Sequence, residues 1–324
     1  MLGWFPFLHQ GELLYGGCAR LEDALRYPGR CALLTELTDG RSVRPTIDLP
    51  SHLEVFVRAL PSEHAYTADW LIDHHTLWPY YAPFQDQQTQ IASRDQLIGH
   101  GGTAVRKFIG SRMYGRLLPR VLRYCPACRD ADMNQHGEPL WHRLHQAPGV
   151  VVCPEHRMFL KGSTVFWRGQ SGRQRFIAAA DGMPTVPSEE LQCEHKSHTV
   201  LLDLAIDVAW LLEQPRLVLP VWALRMAYRK AAENLGLEVS GSTPARAALL
   251  TAITEHYSPA SLSLLNVTDF ITDRYWLRNL FTGRTKTGGH PLMHLVLAHF
   301  LGLRFQSLAA SIGKTWNPAC HEAA

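Results

Sequence analysis

The sequence lacks any run of about 18 apolar residues, which excludes a membrane-spanning helix of ordinary length. No basic leader precedes the apolar opening, and Pro6 interrupts it, so the N-terminus does not read as a signal peptide. An excess of one charge sign is also missing. The 32 Lys and Arg stand against 29 Asp and Glu, and a net charge of +3 is too mild to establish nucleic-acid binding. Internal repeats, low-complexity tracts and heptads are absent, which excludes solenoids and coiled coils. There is no G-x-S-x-G element. Gly313-Lys314-Thr315 has the form of the end of a phosphate loop, but the required earlier glycine falls on Leu308 and the loop is rejected. What is present is an ordinary globular balance, 46% hydrophobic and 19% charged, in 324 residues, enough for two or three domains. The seven cysteines, without a leader, belong to a reducing compartment, where close pairs bind metal or do redox chemistry more often than they crosslink.

The periodicity predicts a mainly α protein. Leu13, Leu14, Cys18, Leu21 and Leu25 place a helix between Gln10 and Tyr27, with Gly16-Gly17 weakening it and Pro28-Gly29 ending it. Ser51 and Glu54 have capping-box spacing ahead of Leu53, Phe56, Val57 and Leu60, and Pro61 stops that helix. Thr67 to His75 reads as a third helix, and Trp78 to Phe84, with two prolines and four aromatics, as an ordered, packed loop. Residues 161–199 read as a linker or irregular strands. Beyond them Leu201, Leu202, Leu204, Val208 and Leu211 fit a buried helix. Thr243-Pro244 and Ser258-Pro259 are helix starts, and Pro291 opens an apolar helix over Leu292 to Leu303. The expected organisation is a helical N-terminal domain over 1–120 with a candidate helix-turn-helix, and a central zinc ribbon over 121–165. An irregular linker over 166–199, a helical C-terminal domain over 200–310 and a tail over 311–324 follow.

The sharpest signal is Cys125-Pro126-Ala127-Cys128 followed, after 24 residues, by Cys153-Pro154-Glu155-His156. Each half is a knuckle whose two ligands, three positions apart, project from one tight turn. Together Cys125, Cys128, Cys153 and His156 supply a closed tetrahedral set for one structural Zn2+ ion, with no open position for catalysis. A thiol-disulfide pair at Cys125 and Cys128 is the rival reading, but no βαβ pattern surrounds it and Cys153 and His156 would go unexplained.

These knuckles and the residues between them resemble a known family. Gly137 to Gln146 (Gly-Glu-Pro-Leu-Trp-His-Arg-Leu-His-Gln) and Pro148 to His156 (Pro-Gly-Val-Val-Val-Cys-Pro-Glu-His) are similar to the core of the TniQ/TnsD family of transposon target-selection proteins. Leu49 to Leu53 and His75 to Phe84 resemble the N-terminal half of the TnsD branch, as does the opening Phe5-Pro6-Phe7 with Glu12 to Tyr15. Trp276 to Leu280 and His290 to His294 are a weaker match, so the likeness covers about residues 1–300. The resemblance implies a non-enzymatic adaptor of the bacterial cytoplasm and nucleoid. Such an adaptor recognises double-stranded target DNA or a Cascade-type CRISPR effector complex, and it recruits the AAA+ ATPase TnsC, as a monomer or a homodimer. Two departures stand out. Longer TnsD proteins carry a large C-terminal DNA-binding region, and Trp316 to His321 looks like the start of a second finger three residues before the sequence stops.

The basic candidates fall in two stretches. Arg106, Lys107, Arg112, Arg116, Arg120, Arg123 and Arg129 lie together with no acid among them, and read as a solvated helix face or as a surface for DNA or an acidic partner. Arg274, Arg278, Arg284 and Lys286, interleaved with Tyr275, Trp276 and Phe281, read as a nucleic-acid or partner patch or as an amphipathic helix burying Trp276, Leu277 and Leu280. Arg143, inside the metal domain, is a further candidate for phosphate or an acidic partner. Trp141, His142 and His145 are expected to support the ligands from behind. Cys193, His195 and His198 have ligand-like spacing without a second knuckle, and Asp73, His74 and His75 are expected to be structural. A stand-alone zinc-ribbon transcription regulator is the alternative function, and a thiol-redox or zinc hydrolase enzyme the third.

Overall fold

The computed structural model describes residues 2–26, 32–38, 40, 45–100, 105, 115–167, 175–192, 194–238, 243–272, 277, 280–281 and 289–315. It is mainly α, as the periodicity predicts.

Helix α1 (Leu14–Leu25) buries Leu14, Cys18 and Leu21 and ends on Arg26 in the left-handed conformation. The glycine pair inside it has a packing reason. A Cβ on Gly16 would stand 2.8 Å from Glu12 Oε1, and one on Gly17 would collide with Leu8, so the bare backbone lets residues 8–12 lie against the helix. Helices α2 (Ala32–Leu37) and α3 (Leu53–Ala59) follow. The expected capping box does not form. His52, at φ 65°, occupies the cap position, and Ser51 Oγ meets His52 Nδ1 at 2.9 Å instead of capping the helix. The reason is tertiary: His52 N donates to Gly99 O at 2.7 Å, which fixes the helix start at Leu53. In α4 (Ala68–His75) Thr67 caps as its chemistry predicts, accepting from Trp70 N at 3.1 Å. The segment expected to be a packed loop is packed but helical. It forms α5 (Trp78–Tyr81) and a 3-10 turn (Ala82–Phe84), with a proline in the first turn of each, where the missing N–H costs nothing. Helix α6 (Gln87–Ile98) is capped by Asp86, whose Oδ1 accepts from Thr89 N at 2.8 Å.

The middle of the chain carries the strands. β1 (Val121–Tyr124) pairs antiparallel with β4 (Lys161–Phe166), and β2 (Val152–Cys153) with β3 (Met158–Phe159). Between β1 and β2 lie α7 (Pro126–His136) and α8 (Arg143–Gln146). The start of the stretch 161–199, read as a linker or irregular strands, is therefore a regular strand, β4. The described remainder is irregular apart from α9 (Ala179–Gly182), yet it is tied down. Phe159 N donates to Glu189 O, Leu191 N to Arg157 O, and Trp141 Nε1 to Ile177 O.

The rest is helical: α10 (Lys196–Leu212), α11 (Val221–Asn234), α12 (Thr243–His256), α13 (Pro259–Leu264), α14 (Thr268–Thr272), α15 (Pro291–Phe300) and α16 (Phe305–Thr315). Ser258 caps α13 through Ser261 N, as the Ser-Pro pair predicts. α15 stops at Phe300, short of Leu303; it is buried from Pro291 to Ala298 and bends by 96° into α16. Among the described residues no single helix is long and apolar enough to cross a membrane. One hydrophobic cluster runs from Leu2 to Ile312, so packing crosses all the boundaries read from the sequence.

Candidate metal centre

Strand β1 delivers the chain to Cys125, which caps α7, and Pro126 pre-sets the first helical residue. Cys128 lies in the first turn of the same helix. The first ligand pair therefore sits at a helix start rather than in a hairpin turn. The second pair is a hairpin knuckle: Cys153 ends β2, Arg157 turns the chain at φ 51°, and β3 returns.

The four donor atoms lie within 4.8 Å of one another. His156 Nδ1 is 3.2 Å from Cys128 Sγ, 3.7 Å from Cys153 Sγ and 3.9 Å from Cys125 Sγ, and the Cys128 and Cys153 sulfurs are 3.7 Å apart. A tetrahedral ion with sulfur at about 2.3 Å and nitrogen at about 2.0–2.1 Å needs neighbouring donors about 3.5–3.8 Å apart. The residues fit such an ion. The three cysteines are free and buried. Hydrogen bonding from Cys128 and Cys153 pulls the Cys125 thiol far down, and the same contact with Cys125 raises the other two. Among the described residues this is the one Cys/His/carboxylate cluster able to hold a metal ion.

Behind the ligands, His145 Nε2 lies 3.9 Å from Cys128 Sγ, and burial pushes the pKa of this imidazole well below its ordinary value. His142 Nε2 meets Asp132 Oδ2 at 2.9 Å, and the same oxygen accepts from Leu140 N, so α7 is locked to the strand-like stretch before α8. Trp141 is buried, but it packs in the main core against Gly182 rather than among the ligands.

An interaction that sequence spacing did not suggest holds this unit to the N-terminus. Leu13 N donates to Trp141 O, Arg143 N donates to Gly11 O, and the His9 and His136 rings stand 4.0 Å apart. Arg20 donates to Glu12 Oε2 at 2.8 Å, to Glu138 Oε1 at 3.0 Å and to Phe7 O at 2.7 Å. Burial raises the pKa of Glu12 despite this partner. A second tie joins Glu22 to Arg175 and to Phe176 N. Arg20 and Glu138 are 118 positions apart, so no local pattern in the sequence announces the pair.

The basic candidates divide. Arg116 and Arg120 are exposed. Arg123 is half-buried rather than exposed: Nη2 donates to Ala147 O, Nε is sealed, and burial lowers its pKa to about 9. Arg143 must also be corrected. It is buried, with its guanidinium on Asp73 O, Leu212 O and Glu213 Oε1, so it joins α8 to the ends of α4 and α10 instead of presenting a cation to solvent. Arg129 is held by Asp130 and Thr185. Arg106, Lys107, Arg112, Arg274, Arg278, Arg284 and Lys286 lie outside the described residues, as do Tyr275, Trp276, Cys193 and Trp316 to His321. Leu277, Leu280 and Phe281 are buried. The histidines near Cys193 serve α10, His195 as its cap residue and His198 Nδ1 as acceptor for Gln192 N. Asp73 binds Arg94 and Arg216, and His75 Nδ1 meets Glu12 O at 2.7 Å, both structural.

The TniQ family model matches residues 4–160, which contain all four ligands, and the model of Tn7-like transposition protein D matches residues 204–323. The chain belongs to the TniQ/TnsD family. Transposon Tn7 transposition protein TnsD of Escherichia coli is 31% identical to it over 241 residues, 73% of this chain. The chain spans about half of that relative, 46% of its length.

Proposed function

We propose that the chain is a non-enzymatic target-selection adaptor of a Tn7-like transposon, acting in the bacterial cytoplasm on the nucleoid. In this reading it recognises target DNA and recruits the AAA+ regulator TnsC. The observation that carries the reading is the succession of the two family matches along one chain, together with the likeness to TnsD. The match to a transposition protein D favours target DNA over a CRISPR effector complex as the thing recognised. The donor set supports the non-enzymatic part. Cys125, Cys128, Cys153 and His156 fill a tetrahedron, so Zn2+ bound there would be structural and would supply only geometry. Exposed Arg116 and Arg120 are the described residues we assign to DNA, with Arg106, Lys107 and Arg112 in the same stretch and the cations of 274–286 as a second group.

The test is assembly. Purified chain is mixed with the AAA+ ATPase of the same transposon, DNA and ATP, and complexes are weighed by mass photometry. ATP-dependent co-assembly on DNA is the expected result. No association, alongside tight binding of one DNA site by the chain alone, would replace the adaptor with a stand-alone DNA-binding regulator.

A further inference from the structure

Helix α11 has two faces of different character. Ala223, Leu224, Tyr228, Ala231 and Ala232 are buried. On the opposite side Trp222 is 48% and Met226 64% exposed. At about 100° per residue, positions 222, 226, 229, 230 and 233 fall within one arc of roughly 100°. That arc carries the two large apolar side chains followed by Arg229, Lys230 and Glu233, all exposed.

Backbone carbonyls place the arginines of this helix. Arg229 Nη2 donates to Phe281 O at 3.0 Å, and the neighbouring Arg225 Nε donates to Leu280 O at 2.5 Å, so α11 is braced against residues 280–281 through carbonyls. Elsewhere the arginines Arg20, Arg94, Arg143, Arg175 and Arg304 each meet a carboxylate. Among the described residues no ion pair joins Arg229 or Lys230 to an acid. An ordered helix thus offers an exposed Trp–Met pair one turn apart, with Arg229 and Lys230 beside it and Glu233 offsetting part of their charge.

We infer that this face of α11 docks an acidic amphipathic helix of a protein partner. Apolar side chains of that helix would cover Trp222 and Met226, and its carboxylates would meet Lys230 and Arg229. Tryptophan, methionine and arginine are the residues enriched at protein interfaces. A surface following a nucleic-acid backbone would need more cations than Glu233 leaves here, and Met226 offers no ring for a base. The inference rests on the adaptor reading only in naming the ATPase as the partner to try.

The test uses the full chain and the AAA+ ATPase of the same transposon as probe, with binding measured by biolayer interferometry in ATP. Trp222→Ala with Met226→Ala, and separately Lys230→Glu, should each weaken ATPase binding by about tenfold or more. Met226→Leu should keep it, and DNA affinity should not change. Both sites are exposed, so metal content and melting temperature should match the parent chain and certify the fold. Parent-like ATPase binding by the variants overturns the inference while leaving the adaptor reading intact. Loss of DNA affinity instead would make the face a nucleic-acid surface, and a change of mass of the chain alone would make it a self-contact. If the parent chain itself ignores the ATPase, the adaptor reading fails and this assignment falls with it.

Discussion

The middle of this protein, with its Cys/His cluster, and the helical C-terminal half are held in different ways. Around residues 121–166 there is little regular structure to share the load: two two-stranded sheets, an eleven-residue helix and a four-residue one. Order comes from polar groups with few alternatives, namely the four donors, the Asp132 bridge, and the Arg20 and Arg143 guanidiniums that tie this region to distant parts of the chain. The described residues from 196 to 315 instead form helices packed through aliphatic surface, with α15 buried almost all round. The first region depends on specific atoms and should fail abruptly when one is changed. The second depends on volume and should fail by degrees.

The largest expected effect lies on the ligand side. Cys153→Ser, or a strong chelator, should remove an ion worth on the order of 10 kcal/mol to the folded state. Metal content by mass spectrometry should fall from about one zinc per chain to near zero, with loss of hydrogen-exchange protection in 121–166 and in 2–13. A chain that keeps both protections without metal would erase the contrast. Next comes Leu297→Ala in α15, where a buried leucine is traded for a cavity at about 3–4 kcal/mol by urea denaturation. Here zinc content should stay at the parent value; if it fell, the two regions would be one cooperative unit. Glu12→Gln should cost about 3 kcal/mol, because Arg20 would be left buried with only the half-exposed Glu138.

Acid separates the regions more gently. Burial lowers His75 to about 4 and His290 to about 3, so the folded protein keeps both neutral while the unfolded chain protonates them below about pH 6.5. Their contribution is therefore complete above that pH and is lost as the pH falls from about 6.5 towards 4, by up to about 1.4 kcal/mol per unit for each. A urea midpoint flat over this range would contradict the burial of both imidazoles. The smallest effect on stability belongs to Arg116→Ala with Arg120→Ala, which should leave the fold untouched. It should weaken DNA binding and reduce the slope of log affinity against log salt by about two. An unchanged slope removes both residues from the DNA surface.

How legible these regions were in the sequence follows the same division. The ligands could be read because a metal site needs fixed atoms at short, repeated spacing, and Cys125 to His156 has it. Helices such as α10 and α15 could be read because apolar periodicity is local. Failures came where a distant backbone group decides a local outcome. His52 caps α3 because Gly99 holds its N–H, and Arg143 looked like a surface cation because Asp73, Leu212 and Glu213 are about 70 positions away. Gly16 and Gly17 looked like a weakness in α1 and are instead the clearance that lets Glu12 and Leu8 approach.

The tie between the two ends of the first 180 residues has a bearing on synthesis. Gly11 and Leu13 wait for Trp141 and Arg143, and Glu22 waits for Arg175 and Phe176. A chain emerging from the ribosome at about 5–20 residues per second therefore cannot complete α1's surroundings for several seconds after α1 itself has appeared. During that interval Tyr15 lacks its ring contact with Phe176 and Glu22 lacks Arg175, so completion of this region is a slow, non-local step of folding.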